Sequence, residues 1–226
     1  MEDDGSFRHF SFVHHGVEFE IHYILAGFNT KGHQRYWDDI IEREVTENLH
    51  SVRIDGTEIP TLSPTLNAAF VFIHLYHHFL KEGVGLRQLC DWAMVLNHYQ
   101  EDIDRVLLTE VLSRLGHLKA YRALGCILTD HLGLPAEVFP YSISKNDRRY
   151  GERILREVMR GGNFGWYGRW TRKGGWLHSL ETGSISVRHC IGYWRLSPKE
   201  NLMFLPLQAG RSLRKNFMGK DNGVRG

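Results

Sequence analysis

Hydrophobic positions recur with helical spacing from Ser63 to Tyr99, the most strongly patterned stretch of the chain. Ser63 is a typical N-cap residue, and Pro64 follows at the first helical position, where a missing N–H costs nothing. Apolar residues then recur every three or four positions on either side of the sequence Gly83-Val84-Gly85. This pattern predicts two amphipathic helices joined by a tight turn.

Polar side chains with unusual chemistry lie on both helices of this predicted hairpin. His77 falls on or beside the buried stripe, while His74 and His78 are one turn apart on a shared face. Arg87 and Asp91 have the same spacing on the second helix. We expect these groups to meet at the seam between the helices and to bind substrate. The alternative is that the histidines are bonded to the backbone or to Asp91, and that Arg87 and Asp91 form an ordinary i,i+4 pair.

Two β-hairpins are predicted before these helices. Arg8 to His14 and Val17 to Tyr23 alternate in hydrophobicity around a His15-Gly16 turn, and Asp55-Gly56 joins a second pair of strands. In the strand that begins at Val17, the side chains opposite its apolar face belong to Glu18, Glu20 and His22. That polar face is either a solvated sheet surface or part of a metal or phosphate site, because Mg²⁺ prefers carboxylate oxygens.

The rest of the chain is predicted to be almost wholly helical. One helix is expected from Tyr36 to Leu49, and others follow at 102–115, 118–132, 147–160, 185–194 and 198–215. The fold class is therefore α+β and mostly helical, with a small N-terminal antiparallel β portion of two hairpins packed on a C-terminal helical bundle. We predict a β/α portion over residues 1–62, a helical domain over 63–218 and a disordered tail over 219–226.

Glycine, tryptophan and arginine are concentrated between Gly161 and His178. The indoles of such a loop would stack on bases or sugars, with Arg160, Arg169 and Arg172 contacting phosphates. The alternative is an irregular cover whose aromatic side chains are buried against the helices.

Composition narrows the class of protein. The 226 residues are 42% hydrophobic, enough for a sizeable core, and the net charge of +2 does not favour nucleic-acid binding. The cysteines are odd in number and form no C-x-x-C pair, which predicts buried thiols in a reducing compartment: Cys90, Cys126 and Cys190. The polar N-terminus is unlike a signal peptide, and no apolar run approaches the roughly 18 residues of a membrane span. We therefore expect a cytoplasmic protein without a membrane partner.

Five short motifs occur together in this chain. They are FEIHY at 19–23, PTLSP at 60–64, the H-x-x-x-H pattern of His74 and His78, GLRQLCDW at 85–92 and GGNFG at 161–165. In order and spacing they resemble the uncharacterised nucleotidyltransferase family of bacteria, whose members resemble polymerase-β-type nucleotidyltransferases with an added helical domain. The resemblance implies a Gly-Ser turn and an Asp-x-Asp strand that bind a triphosphate and two Mg²⁺ ions, with a third carboxylate from a later strand.

Within this resemblance Glu20 matches the third carboxylate and is the candidate catalytic residue. Glu18 and Glu20 are the candidate Mg²⁺ ligands. The candidate substrate-binding residues are His22, His74, His78, Arg87 and Asp91.

The sequence departs from this family pattern ahead of Glu20. No Gly-Ser turn followed by an Asp-x-Asp strand precedes it, and the adjacent Asp3 and Asp4 would point to opposite faces of a strand. Two-metal transfer needs several carboxylates. We therefore expect an incomplete or catalytically reduced member of the family that binds a nucleotide or an acceptor. We also expect a homodimer or a partner chain to cover the open edge of the strand from Val17 to Tyr23.

Two other functions fit the same residues. One is a non-enzymatic interaction module, which the near-neutral charge and the aromatic loop allow. The other is a helical metal-dependent phosphohydrolase, because His77-His78 followed by Asp91 resembles a histidine-aspartate constellation, although no adjacent His-Asp pair occurs in the chain.

Overall fold

The computed structural model describes residues 9–22, 24–81, 83–161 and 176–204. Over these ranges the protein is α+β and mostly helical, and its strands come before the helical hairpin, which confirms the predicted fold class. On the first hairpin the description leaves out the side chains of His9, Phe10, Glu18, Glu20 and His22, and on a later helix those of residues 176–180.

Two separate antiparallel hairpins form the β portion: β1 (His9–His14) with β2 (Val17–His22), and β3 (His50–Ile54) with β4 (Thr57–Thr61). Both turns have positive φ at their two central residues, 49° and 78° at His15-Gly16 and 49° and 82° at Asp55-Gly56. This is the turn geometry that matches the twist of a two-residue hairpin. The two turns predicted from the sequence are thus confirmed.

The apolar side chains of the first hairpin are exposed. Val17, Phe19 and Ile21 are 56%, 44% and 50% exposed. Phe12 stacks on Phe19 across the strands with ring centroids 5.3 Å apart. The apolar stripe of β2 therefore contributes little to the core.

Helix α1 (Lys31–Glu47) begins five residues before the predicted start at Tyr36. Its buried residues are His33, Trp37, Ile40 and Glu44, a stripe with helical spacing. The chain just ahead of it is fixed by tertiary contacts, since Glu200 accepts hydrogen bonds from the Asn29 N–H at 2.6 Å and the Thr30 N–H at 3.1 Å. Local sequence carries no sign of such contacts, which explains the difference at this end.

The central helical hairpin is formed by α2 (Pro64–Lys81) and α3 (Leu86–His98), as predicted. Gly83 lies between them with a positive φ of 89° and donates its N–H to the His78 carbonyl at 3.0 Å. Ahead of α2, the Ser63 N–H donates to Glu44 Oε1 at 2.6 Å. An aromatic core forms around these helices, in which Phe72 packs against Trp92 and Tyr121 with centroids 5.2 and 4.7 Å apart.

Three further helices cover this core: α4 (Arg105–Arg114), α5 (Leu118–His131) and α6 (Lys145–Gly161). Ser144 and Asp147 cap α6 reciprocally, since Asp147 Oδ2 accepts the Ser144 N–H at 2.9 Å and Ser144 Oγ accepts the Asp147 N–H at 3.2 Å. Arg122 on α5 donates to the same carboxylate at 2.6 Å. Helices α5 and α6 are therefore joined by a charged contact at one end of their interface.

The C-terminal elements return to α2. Helix α7 (Trp176–Gly192) starts before the predicted Ile185 and is followed by a 3-10 turn (Trp194–Leu196) and by a helix over residues 198–204, here called α8. His189 on α7 bonds the Phe79 carbonyl of α2 at 2.7 Å. Most of the glycine- and tryptophan-rich segment, residues 162–175, and residues 205–226 lie outside the described ranges.

One buried cluster includes Trp37 and Ile40 of α1 together with residues of the later helices. The predicted boundary at residue 62 stays a prediction. Cys126 and Cys190 are buried as expected, but Cys90 is exposed, because it lies on the outer side of α3. Of the helices that the structure describes, none combines the length and the apolar character of a membrane span.

Candidate functional site

The three histidines of α2 do not gather at one seam. His74 is exposed and lies beside His78 with ring centroids 4.5 Å apart. His77 points elsewhere, with its Nε2 atom 3.2 Å from Nε2 of His117 at the start of α5. The predicted H-x-x-x-H face therefore exists, while the third histidine belongs to a different cluster.

His77, His117 and Ser197 form an interior chain of hydrogen bonds. His117 is fully buried, and its Nδ1 lies 3.1 Å from Ser197 Oγ. Burial lowers the pKa of His117 to about 3. Burial also lowers the pKa of His77, with the charges of His117 and Lys81 acting in the same direction. Both imidazoles are therefore neutral at physiological pH, and a single proton lies between their facing nitrogens.

Next to this chain, Glu200 of α8 binds the segment that leads into α1. Its carboxylate accepts the Asn29 N–H at 2.6 Å and the Thr30 N–H at 3.1 Å, and it lies 2.7 Å from His33 Nδ1. Glu200 is only 3% exposed. The ring of Phe28 packs edge-on against His77 at 5.1 Å. These contacts hold distant parts of the chain together, and sequence reasoning missed all of their partners except His77.

Arg87 and Asp91 are both exposed on α3. Within the described ranges they form no ion pair with each other, although they are four residues apart. Neither is hydrogen-bonded to His74, His77 or His78 in that part of the chain. The seam on which these groups were expected to meet is therefore absent from the described contacts, while Arg87 and Asp91 are exposed on α3.

The backbone of β2 fixes the register of the acidic strand. Glu20 pairs with Ser11 and Glu18 with Val13, while the carboxylates themselves lie outside the described side chains, as does the His22 ring. Among the described residues, no group of three or more His, Cys, Asp or Glu is arranged to hold a metal ion. The described side chains thus show no Mg²⁺ site, and the two candidate carboxylates of β2 lie outside them.

The sequence has a single Asp-x-Asp triplet, Asp102-Ile103-Asp104, which lies far from β2 in the chain. Asp104 is the N-cap of α4 and accepts hydrogen bonds from the N–H groups of Val106 at 2.8 Å and Leu107 at 3.1 Å. A carboxylate in this position satisfies helix N–H groups. The triplet therefore serves as a helix cap.

A groove with a volume of about 480 Å³ lies between α1 and α4, with the start of α2 at its floor. This α1–α4 groove is within the size range of small-molecule sites. Its polar lining comes from both helices: Tyr36, Asp39, Arg43, Glu44, Glu47, Asn48, Glu110 and Arg114. Ile40, Leu66 and Leu107 supply the apolar part.

Several groove side chains already have partners. Glu110 Oε1 lies 3.2 Å from Arg114 Nε, and the Arg114 guanidinium lies 5.2 Å from the centre of the Tyr36 ring. Burial raises the pKa of Tyr36, and the charge of Glu110 raises it further. The phenol is therefore a protonated hydrogen-bond donor at neutral pH. Glu44 was detectable in the sequence as an acid on the buried stripe of α1, but the groove itself was not.

Comparison with known proteins places this architecture in a family. The model of a family described as uncharacterised nucleotidyltransferase matches residues 2–133, which is more than half of the chain. No curated protein and no solved structure matches the chain. The matched segment contains both β-hairpins, the H-x-x-x-H face of α2 and every residue that lines the α1–α4 groove. The chain belongs to the uncharacterised nucleotidyltransferase family.

Proposed function

We propose that this protein binds the nucleotide or the acceptor of a nucleotidyl transfer, and that these 226 residues alone transfer nucleotides weakly. The observation that carries the first part is the α1–α4 groove, a cavity of about 480 Å³ built wholly from the family-matched segment. The second part follows from the carboxylates available to hold metal ions. The one Asp-x-Asp triplet includes a helix cap, which leaves Glu18 and Glu20 as the candidate ligands.

The groove suits an acceptor better than a nucleoside triphosphate. Its lining has four carboxylates and two guanidinium groups. This excess of negative charge repels a polyphosphate and lowers its affinity. We therefore assign the acceptor to the α1–α4 groove and look for the nucleotide elsewhere.

The nucleotide is assigned to the candidate residues of β2, α2 and α3. Glu20, assisted by Glu18, would hold Mg²⁺, and that ion would neutralise phosphate charge. Exposed Arg87 is suited to a phosphate oxygen, while His22, His74, His78 and Asp91 are the remaining candidate contacts. Support for this assignment comes from family membership and from the exposure of Arg87, Asp91 and His74.

We also propose that a second copy or a partner chain pairs with the first β-hairpin. This proposal is supported by the exposed apolar side chains of Val17, Phe19 and Ile21. Unpaired strand edges next to exposed apolar side chains favour association with another strand.

The test of the proposed function is nucleotide binding by the full chain. Each of the four ribonucleoside triphosphates is titrated with Mg²⁺ while the melting temperature is recorded, because a ligand that binds only the folded state raises it. We expect at least one to stabilise the wild type, and we expect Arg87→Ala and Glu20→Gln to reduce that shift. Lys119→Ala, at an exposed position on α5, is the control and should leave the shift unchanged.

Activity is measured in the same preparations with labelled nucleotide and Mg²⁺ or Mn²⁺. Efficient turnover that Glu20→Gln abolishes would overturn the proposal of weak transfer. Absence of a nucleotide-induced shift would favour the interaction module instead. The metal-dependent phosphohydrolase has no support among the described residues, because they offer no cluster of metal ligands and His77 is hydrogen-bonded to His117.

A further inference from the structure

The charges of the α1–α4 groove are unevenly neutralised. Glu110 and Arg114 form an ion pair, while Arg43 donates its Nε–H to the backbone carbonyl of Asp39 at 3.3 Å and keeps its positive charge in the groove. Asp39 and Glu47 have no ion pair or side-chain hydrogen bond within the described part of the chain. The groove thus keeps two exposed carboxylates whose charge is not neutralised by a close partner.

Glu44 adds a third carboxylate, and this one is built into the core. The residue is 7% exposed, and Oε1 is fixed by the Ser63 N–H at 2.6 Å. A buried carboxylate costs free energy unless hydrogen bonds or a cation compensate it. One backbone donor occupies one oxygen of Glu44, which leaves the other oxygen for a cationic group in the groove.

The three carboxylates are spread along α1. Asp39 and Glu47 are eight residues apart, which is about 12 Å along a helix. Glu44 lies between them and deeper in the groove. They form no metal-holding group among the described residues, so a single bound ion would not reach all of them. A ligand that neutralises them must be extended.

We propose that the α1–α4 groove binds a small organic cation that presents protonated amines to Asp39, Glu44 and Glu47. This inference rests on the proposed function, in which the same groove receives the acceptor, and it makes that acceptor an amine-bearing molecule. The apolar floor of Ile40, Leu66 and Leu107 contacts the carbon skeleton of the ligand. Because of the carboxylates, the cation binds more tightly than neutral analogues of the same length.

The test compares two probes of equal length, 1,6-diaminohexane and 1,6-hexanediol, by isothermal titration calorimetry on the full chain without nucleotide. We expect the diamine to bind and the diol not to bind. The double variant Asp39→Asn/Glu47→Gln should raise the Kd for the diamine about tenfold, which is about 1.4 kcal/mol, because exposed ion pairs are individually weak. The Kd should also rise with salt concentration.

The matched control is Glu42→Gln/Glu101→Gln, which removes the same charge from exposed positions outside the groove and should change the Kd less than about twofold. Thermal melting of both double variants verifies that they fold. Equal Kd values for the two double variants, binding of the diol, or no binding of the diamine would each overturn the inference. Because nucleotide is omitted, this outcome is independent of the nucleotide-binding test.

Discussion

Glu200 accepts the backbone N–H of Asn29 at 2.6 Å, across 171 positions of sequence. The same carboxylate accepts the Thr30 N–H and pairs with His33, so α8 fixes the chain where α1 begins. A negative charge at the N-terminus of a helix is also favoured by the helix dipole. This contact ties the family-matched segment to the C-terminal part of the chain.

Replacing Glu200 by Gln should destabilise the protein. The neutral amide offers a single acceptor oxygen to two backbone N–H groups and loses the charge-assisted bonds. We expect the free energy of unfolding to fall by about 1–3 kcal/mol in urea denaturation. Hydrogen exchange should quicken at the first turn of α1. Lys199→Gln, at the exposed neighbouring position, is the control and should leave both measurements unchanged.

Acid should destabilise the protein through His77 and His117. The pKa of each is lower in the folded state, to about 3 for His117, so the unfolded chain binds protons more readily below its ordinary pKa. Stability from these groups is complete above about pH 6.5 and is lost as the pH falls. We expect His117 to account for a loss of about 2 kcal/mol between about pH 6.5 and about pH 5.

The measurement is the free energy of unfolding as a function of pH. His117→Gln should reduce the slope below about pH 6.5, whatever its effect at neutral pH. His98→Gln removes an exposed histidine and should keep the wild-type slope. An unchanged slope in the His117 variant would show that other groups cause the acid sensitivity.

At Gly151, α6 lies close against α5. A Cβ atom at this position would overlap Cys126 Sγ and would lie 2.6 Å from the Ala123 carbonyl oxygen. Gly151→Ala should therefore lower the free energy of unfolding by about 1–3 kcal/mol, the usual cost of overpacking. Gly183→Ala is the matched helical control, because a Cβ there meets no atom within 4 Å. It should stabilise the protein by up to about 1 kcal/mol.

The exposed apolar face of β2 predicts self-association or partner binding. If a second copy covers it, light scattering should detect a dimer, and Ile21→Lys should convert it to a monomer, because charged side chains on an edge strand oppose pairing. Ile54→Lys makes the same substitution at an exposed isoleucine of β3 and should leave the dimer intact. A wild type that stays monomeric at about 100 μM would contradict self-association and leave a different partner chain as the occupant of this edge.

Local chemistry was sufficient to predict most of the fold. Asp55-Gly56 sets its hairpin because both residues adopt positive φ, and Ser63-Pro64 begins α2 as expected. Helix α1 departs from this rule at its start. The chain at its start contacts Glu200, about 170 positions away, and the hydrophobic periodicity of the sequence does not predict such long-range contacts.

The candidate site was predictable only in part. The H-x-x-x-H spacing correctly put His74 and His78 on one face, yet it gave no sign that His77 would meet His117, 40 positions later. The α1–α4 groove brings together residues of α1, α2 and α4, which is a long-range relationship. Its one local sign was Glu44, an acid at a core position of α1.

The two partners of the Glu200 contact are synthesised far apart in time. As the nascent chain leaves the ribosome, residues 2–133 emerge long before the carboxylate that fixes Asn29 and Thr30. Helix α6, which covers Cys126 and Ala123 of α5, is also synthesised after that segment. The family-matched segment therefore lacks both the carboxylate that holds the start of α1 and the helix that covers Cys126 and Ala123 of α5.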